Sequence, residues 1–188
     1  MTDTNRQPSD RAATYYLGGG CFWCLDAVYR KIRGVVDVVS GYQGGHTPDP
    51  HYREICGGHT GHAEVVAVTF DPEVVPSDVI LSIFFSMHDP TTLNRQGYDV
   101  GTQYRSVMFY TDEEQRRTFQ AAIERHQGDW AAPIVTEVSR APRFYPAEDV
   151  HQDFYAKNPG EGYCQVIINP KLSKARQYYA PWLMAAQH

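Results

Sequence analysis

The chain has 188 residues, 42% of them hydrophobic and 21% charged, with a formal net charge of −5. That length suits one domain with a substantial core, and the acidic balance leaves no footprint for nucleic acid. With no apolar run of bilayer-spanning length and no secretory signal, the chain is expected in the cytoplasm, where its four cysteines serve better as catalytic or redox groups than as a disulfide framework.

Residues 1–12 are polar and read as a flexible tail ahead of a single domain over 13–188. Residues 14–17 read as a strand entering the turn Gly18-Gly19-Gly20. Phe22, Leu25, Tyr29 and Ile32 then recur at helical spacing, predicting a helix over 22–33 that Gly34 stops. The valine-rich run 35–42 is a strand, and 44–61 is a long loop rich in Gly, His, Pro and Tyr. A second strand is expected over 62–70, an apolar helix over 76–88, and a polar loop over 89–101. Residues 103–110 read as a strand. Thr111 is placed to cap a helix running to 127, with Glu114 completing a capping box. Residues 134–138 suggest a weaker strand, 146–156 a helix, 163–168 a strand, and the stretch from Pro170 a last short helix. Strands and helices mix without strict alternation. The expected fold is therefore α+β: a two-layer sandwich in which helices pack on a mixed sheet around a ferredoxin-like core.

Three segments that interrupt these elements, 18–24, 44–61 and 89–101, carry most of the candidate chemistry. Cys21 follows the glycine turn at a helix start, where free backbone N–H groups and the helix dipole favour an anion and can depress a thiol pKa. Phe22 and Trp23 supply an apolar wall beside it. Glu64 sits at the start of an apolar strand; if it faces the core, desolvation would raise its pKa and make it a proton donor near neutrality, and if it faces solvent it would be an ordinary strand carboxylate. Tyr52, Asp99 and Tyr104 lie in or beside the two long loops, and nothing in their spacing requires them to converge. Cys21 and Cys24 form a CxxC pair capable of a reversible disulfide. Cys164 is a second possible thiol partner. Cys56, His59 and His62 recur at intervals of three and carry zinc-type donors, although the glycines between them argue against a single helical face. A metal-binding module and a CxxC thiol–disulfide oxidoreductase therefore remain alternative readings.

In order along the chain stand Gly20-Cys21-Phe22-Trp23, Ser40-Gly41-Tyr42, Gly58-His59-Thr60-Gly61-His62-Ala63-Glu64 and His88-Asp89-Pro90-Thr91-Thr92. Arg95-Gln96-Gly97, Asp99, Gly101-Thr102-Gln103-Tyr104-Arg105-Ser106 and Phe144-Tyr145-Pro146-Ala147-Glu148 follow. Together they resemble the signature of the peptide methionine sulfoxide reductase A family over residues 15–171. The resemblance implies reduction of methionine-S-sulfoxide, protein-bound or free. It makes Cys21 the nucleophile, Phe22 and Trp23 the pocket for the S-methyl group, and Glu64, with Tyr52 and Tyr104, the donors to the sulfoxide oxygen; Asp99 orders the polar side. It further implies no bound cofactor or metal, an external dithiol reductant, by resemblance thioredoxin, and oxidised proteins as partners of a monomeric enzyme. The family uses different resolving cysteines. Cys164 matches one such position, while Cys24 is nearer Cys21 in sequence and is narrowly preferred because i, i+3 thiols are neighbours on a helix.

Overall fold

A computed structural model of the protein describes residues 11–185. The strands are β1 (Ala13–Gly18), β2 (Val35–Gln43), β3 (Ala63–Phe70), β4 (Arg95–Gln96), β5 (Asp99–Val100), β6 (Val107–Tyr110), β7 (Glu137–Arg140) and β8 (Tyr145–Pro146). The helices are α1 (Phe22–Tyr29), α2 (Tyr52–Cys56), α3 (Ser77–Met87), α4 (Glu113–His126), α5 (Phe154–Lys157) and α6 (Asn169–Tyr178). Six strands make one sheet in the order β7-β6-β1-β3-β2-β8, while β4 and β5 pair as a separate hairpin. The β1-α1-β2-β3-α3-β6 path with sheet order β6-β1-β3-β2 is the ferredoxin-like core, and the sheet is mixed because β7 alone runs parallel to its neighbour, β6. The α+β two-layer expectation therefore holds. Among the described residues no helix is long and apolar enough to cross a membrane.

The topology gathers one end of the sheet. β3 runs antiparallel to both β1 and β2, with Leu17 opposite Val66 and Tyr42 opposite Glu64. β6 is antiparallel to β1, with Val107 opposite Gly18. The exits of β1 and β2 and the entries of β3 and β6 thus share an edge, and the segments attached there are free to converge. Above the sheet lies α1, of which Phe22, Cys24, Leu25, Asp26, Ala27, Val28 and Tyr29 are all buried. A helix buried nearly all round must be covered nearly all round, and its one buried carboxylate, Asp26, pairs with Arg30. The sheet lies beneath it, with α3, α5 and α6 around it. Burying each large apolar side chain contributes about 1.5–3 kcal/mol, so this helix anchors the layer.

Several local expectations are revised. α1 ends at Tyr29, and a turn carries the chain to Gly34, whose φ of 94° needs glycine. The 44–61 loop contains α2, and the 89–101 loop contains the β4–β5 hairpin. Residues 102–104 wind as a 3₁₀ turn before β6. Asp112, not Thr111, caps α4: its side chain accepts from the Gln115 amide at 2.8 Å, while the Gln115 side chain takes the Thr111 N–H. Residues 146–156 break into a 3₁₀ turn and the short α5. Residues 163–168 are not a strand. Cys164–Ile168 is π-helical and runs straight into α6. Cys164, Ile168, Leu172 and Ala175 are buried while Val166 is 70% exposed, a helical period that the β-branched composition conceals. Of the expected tail, residues 1–10 lie outside the described residues; Arg11 pairs with Glu73, and the sheet begins at Ala13.

Candidate active site

Cys21 stands at the N-cap of α1, with φ −60° and ψ 126°, directly after the β1 exit. The turn before it must be glycine for steric reasons. A Cβ on Gly19 would lie 2.9 Å from the His88 ring, and Gly20, at φ 85°, would meet the Gln96 side chain at 2.6 Å. His88 is buried and neutral, pushed down to about 3 by desolvation. Its Nδ1–H donates to the Phe84 carbonyl at 2.6 Å and its Nε2 accepts from Ser106 at 2.8 Å. Gln96 bonds both the N–H and the carbonyl of Asp89, at 2.9 Å each. The His88-Asp89 and Arg95-Gln96-Gly97 motifs thus pack against and hold the glycine turn that leads into Cys21.

Glu64 enters from the start of β3 and is 1% exposed. Its Oε1 accepts the Phe22 N–H at 3.1 Å, one of the unsatisfied donors at the start of α1. That bond favours the ionised form, yet burial outweighs it and lifts the carboxyl to about 8, so Glu64 is a neutral acid at pH 7. The expected depression of the Cys21 thiol does not occur. Burial first, and the Glu64 charge second, push it well above the ordinary thiol value, and the Trp23 N–H offsets them only in part. The helix terminus is present, but a desolvated sulfur beside a carboxyl is not the exposed, electropositive thiol that such a site activates.

Around this pair the predicted residues converge. Tyr52, at the start of α2, and Tyr104, at the end of the 3₁₀ turn, have their hydroxyls pushed above the phenol range by burial and next by Glu64, with Cys21 also contributing. Both are therefore neutral donors beside the carboxyl. Asp99, on β5, accepts from the Tyr163 hydroxyl at 3.0 Å, and the same hydroxyl lies 3.7 Å from the Cys24 sulfur. Phe22 exposes no surface, so its ring backs the recess and Trp23 presents the wall. Cys24 and Cys164 are both buried in the same core cluster as Cys21, whereas Cys56 is exposed. A cleft of about 320 Å³ opens over Cys21 and Cys24, between the hairpin residues Gln96, Tyr98 and Asp99 and the Tyr163–Lys171 stretch. A larger hollow of about 430 Å³, beside Arg30 and Asp153, contains no thiol.

The Cys56, His59 and His62 donors do not meet. His62 accepts the Gly45 N–H at Nδ1 (2.9 Å) and donates from Nε2 to the Thr47 carbonyl (2.7 Å), so both nitrogens close the long loop. Among the described residues no group of three or more His, Cys, Asp or Glu side chains is arranged to hold a metal ion.

A family model described as peptide methionine sulfoxide reductase matches residues 13–182. The chain belongs to this family. It is 68% identical over 172 residues to the peptide methionine sulfoxide reductase MsrA of Pseudarthrobacter chlorophenolicus, covering 92% of this chain and 99% of that one. It is 51% identical to the Deinococcus radiodurans MsrA, over 92% of this chain and 85% of that one. Among solved structures it is similar to reduced Mxr1 of Saccharomyces cerevisiae, with TM-score 0.79, 34% identity, and 87% and 95% of the two chains covered. It is also similar to methionine sulfoxide reductase A of Corynebacterium diphtheriae, with TM-score 0.76, 35% identity, and coverage of 82% and 83%. Mxr1 in complex with Trx2 aligns at TM-score 0.57 and 25% identity, over 82% of this chain and 92% of that one. The protein is a thiol-dependent methionine sulfoxide reductase, and the reading as a metal module or general disulfide oxidoreductase falls away.

Sequence reasoning missed three residues that pack around Trp23: His151, Phe154 and Tyr163. Trp23 stacks face to face on Phe154, with centroids 3.7 Å apart and planes at 4°. Its indole N–H donates to His151 Nδ1 at 3.2 Å, and Tyr163 meets its edge at 5.7 Å. All three follow the Phe144–Glu148 motif in sequence, and no spacing ties them to Trp23 more than 120 residues earlier.

Proposed function

We propose that Cys21 and Glu64 carry out sulfoxide reduction as a thiol–acid pair that is uncharged until substrate arrives. The observation supporting this reading is a buried carboxyl lifted to about 8 that shares one desolvated recess with a buried, protonated thiol. Sulfoxide oxygen is a poor leaving group until protonated, and a neutral acid beside it is the group the step requires. Glu64 gives its proton to that oxygen, and Tyr52 and Tyr104 donate to it. The Cys21 S–H proton passes to the Glu64 carboxylate as the Cys21 sulfur bonds the substrate sulfur. The oxygen then moves to Cys21 as a hydroxyl and the new S–S bond breaks. Methionine sulfur is reduced by two electrons and Cys21 is oxidised to the sulfenic acid.

The second step regenerates the thiol. Cys24 attacks the sulfenic sulfur, water leaves, and a Cys21–Cys24 disulfide forms. The two cysteines are the N-cap and third residue of one helical turn, joined by the bond from the Cys24 N–H to the Cys21 carbonyl at 3.1 Å, and a disulfide's Cα span of about 4.4–6.8 Å suits such a pair. Cys164, buried in the same cluster, is the competing position. An external dithiol then reduces the disulfide by exchange. The Mxr1–Trx2 complex makes thioredoxin the natural reductant, and a cytoplasmic setting supplies it. No bound cofactor enters the cycle, and residues from 13 onward act as one catalytic unit in a monomer.

With Trp23 on one side and the oxygen donors on the other, only one epimer presents its sulfur to Cys21, and family membership makes it S. The test is single-turnover reduction of separated S and R epimers of a methionine sulfoxide peptide. Release of one methionine from the S epimer is expected, and none from either epimer with Cys21→Ser. Equal consumption of both epimers, or turnover by Cys21→Ser, would sink the reading.

A further inference from the structure

His151 lies outside every motif that drew attention in the sequence, yet it touches three walls of the recess. It is 7% exposed, in the 3₁₀ turn Asp149–His151. Its ring centroid lies 4.2 Å from Tyr52, 5.7 Å from Trp23 and 5.7 Å from Phe22. The indole N–H of Trp23 can only donate, so the 3.2 Å contact makes His151 Nδ1 the acceptor and puts the ring proton on Nε2. That nitrogen points toward Glu148, 3.9 Å away. Glu148 in turn accepts the Tyr42 hydroxyl at 3.0 Å and the Tyr52 backbone N–H at 3.1 Å, fixing the start of α2.

We propose that His151 is a positioning residue for sulfoxide reduction, holding the Trp23 indole and the Tyr52 ring in register as the walls of the recess beside Cys21. The inference rests on the functional reading above but is separable from it, because the ring positions are observable without turnover. The neutral imidazole is essential to the arrangement: a proton on Nδ1 turns the acceptor into a donor, and the indole N–H loses its partner. Burial holds this imidazole below its ordinary pKa of 6.5, and the Glu148 charge offsets that only partly, so the switch lies below pH 6.5. The other titratable groups facing the ring are settled there. Hydrogen bonds keep Glu148 low and ionised, and Tyr52 stays neutral.

The test uses the full chain in a Trp130→Phe, Trp182→Phe background, which leaves Trp23 as the only tryptophan. His151→Leu removes the acceptor. His151→Asn keeps an oxygen where Nδ1 stood but does not titrate. For the Leu variant we expect a changed Trp23 emission at neutral pH and an about 10- to 100-fold loss of kcat/KM for an S-sulfoxide peptide, carried largely by KM, the scale of a misplaced positioning group. Alkylation of Cys21 should be unchanged. The Asn variant should recover most of both signals. The parent's emission and KM should change together below pH 6.5 while those of His151→Asn hold. Asp26, on α1, is raised to about 6 and remains in both proteins, so only the change that disappears belongs to His151. Emission that is flat with pH in the parent, or a Leu variant with unchanged emission and KM, overturns the proposal. Inactivity of the parent itself toward sulfoxide would instead overturn the functional reading.

Discussion

Cys21 and Glu64 form the narrowest part of the proposed mechanism, and their environment makes a pH-dependent prediction with a definite sign. A thiol lifted above its ordinary value is slow to alkylate at pH 7 without substrate, and its reactivity should climb only above pH 9. Iodoacetamide labelling across pH, read on the Cys21 peptide because Cys56 is exposed, measures this, and fast labelling of Cys21 at pH 7 would contradict it. Glu64→Gln keeps an oxygen for the Phe22 N–H but cannot transfer a proton, so sulfenic acid formation should slow by about 10²–10⁴-fold at pH 7. In the parent that step should also decline above about pH 8, as the carboxyl ionises. The same shift has a consequence for stability. A folded value of about 8 against an ordinary 4.5 means that the folded state holds the proton more tightly, so the parent loses stability as pH rises from 4.5 through 8. Glu64→Gln should therefore be more stable than the parent at pH 9, by on the order of a few kcal/mol, and nearly equal to it at pH 4. Denaturant melts at the two pH values decide. The sequence marked Glu64 as a carboxylate at the start of an apolar strand without saying which face it takes, and its burial at 1% exposure decides for the desolvated one. The thiol pKa was not readable there, since a helix start seen in sequence says nothing of how deeply the sulfur is covered.

At the scale of elements, the C-terminal segment separates pattern from structure. Val166-Ile167-Ile168 has strand composition, but β7 and β8 already occupy the two edges of the sheet, and the segment instead buries Cys164 and Ile168 against the core. A π-helical turn is rare and tends to mark functional places, and here it begins directly after Tyr163, whose hydroxyl bridges Asp99 and Cys24. Two resolving thiols are thus on offer, and covalent geometry favours the one within a single turn. Peptide mapping of the disulfide trapped after one equivalent of sulfoxide should give Cys21–Cys24, and Cys24→Ser should release one methionine and then stall with thioredoxin. A Cys21–Cys164 bridge with Cys24→Ser fully active would reverse the assignment and leave the nucleophile untouched. The α4 cap gives a contrasting case without chemistry. Asp112→Ala removes the acceptor for the Gln115 N–H and should cost about 1 kcal/mol in a urea melt, with kcat unchanged. The sequence offered Thr111 as the cap because Ser, Thr and Asp are all good N-caps, and adjacent candidates cannot be ranked without the backbone angle that the φ of −149° at Asp112 supplies.

Across the whole molecule, rigidity and function divide along the sheet. β3 lies in the middle, paired on both sides over most of its length, and Val65, Val66 and Val68 expose no surface. The groups proposed to do the chemistry hang from one end of that frame: Cys21 after β1, α2 with Tyr52 after β2, Glu64 at the entry of β3, and Tyr104 before β6. The order of strands could be anticipated as a fold class, but the meeting of these segments could not, because the antiparallel register that brings the exit of β1 to the entry of β3 is a long-range pairing with no local trace. Across the cleft from Cys21 lies the short β4–β5 hairpin. It has two residue pairs, Tyr98 at its tip is 96% exposed, and Leu93 beside it is 72% exposed. Local opening free energies follow buried contacts and paired backbone, so amide exchange should span the full range within this one chain. The β3 amides should exchange only through global unfolding. The amides of 93–100 should exchange orders of magnitude faster. A Cys21→Ser protein saturated with an S-sulfoxide peptide should slow exchange in 93–100 and around Tyr52, where substrate must be enclosed, and leave β3 unchanged. Mass-detected hydrogen exchange with and without the peptide reads all three regions at once. Protection appearing in β3 while the hairpin stays fast would mean that substrate is gripped by the frame itself rather than enclosed by the segments hung from its end.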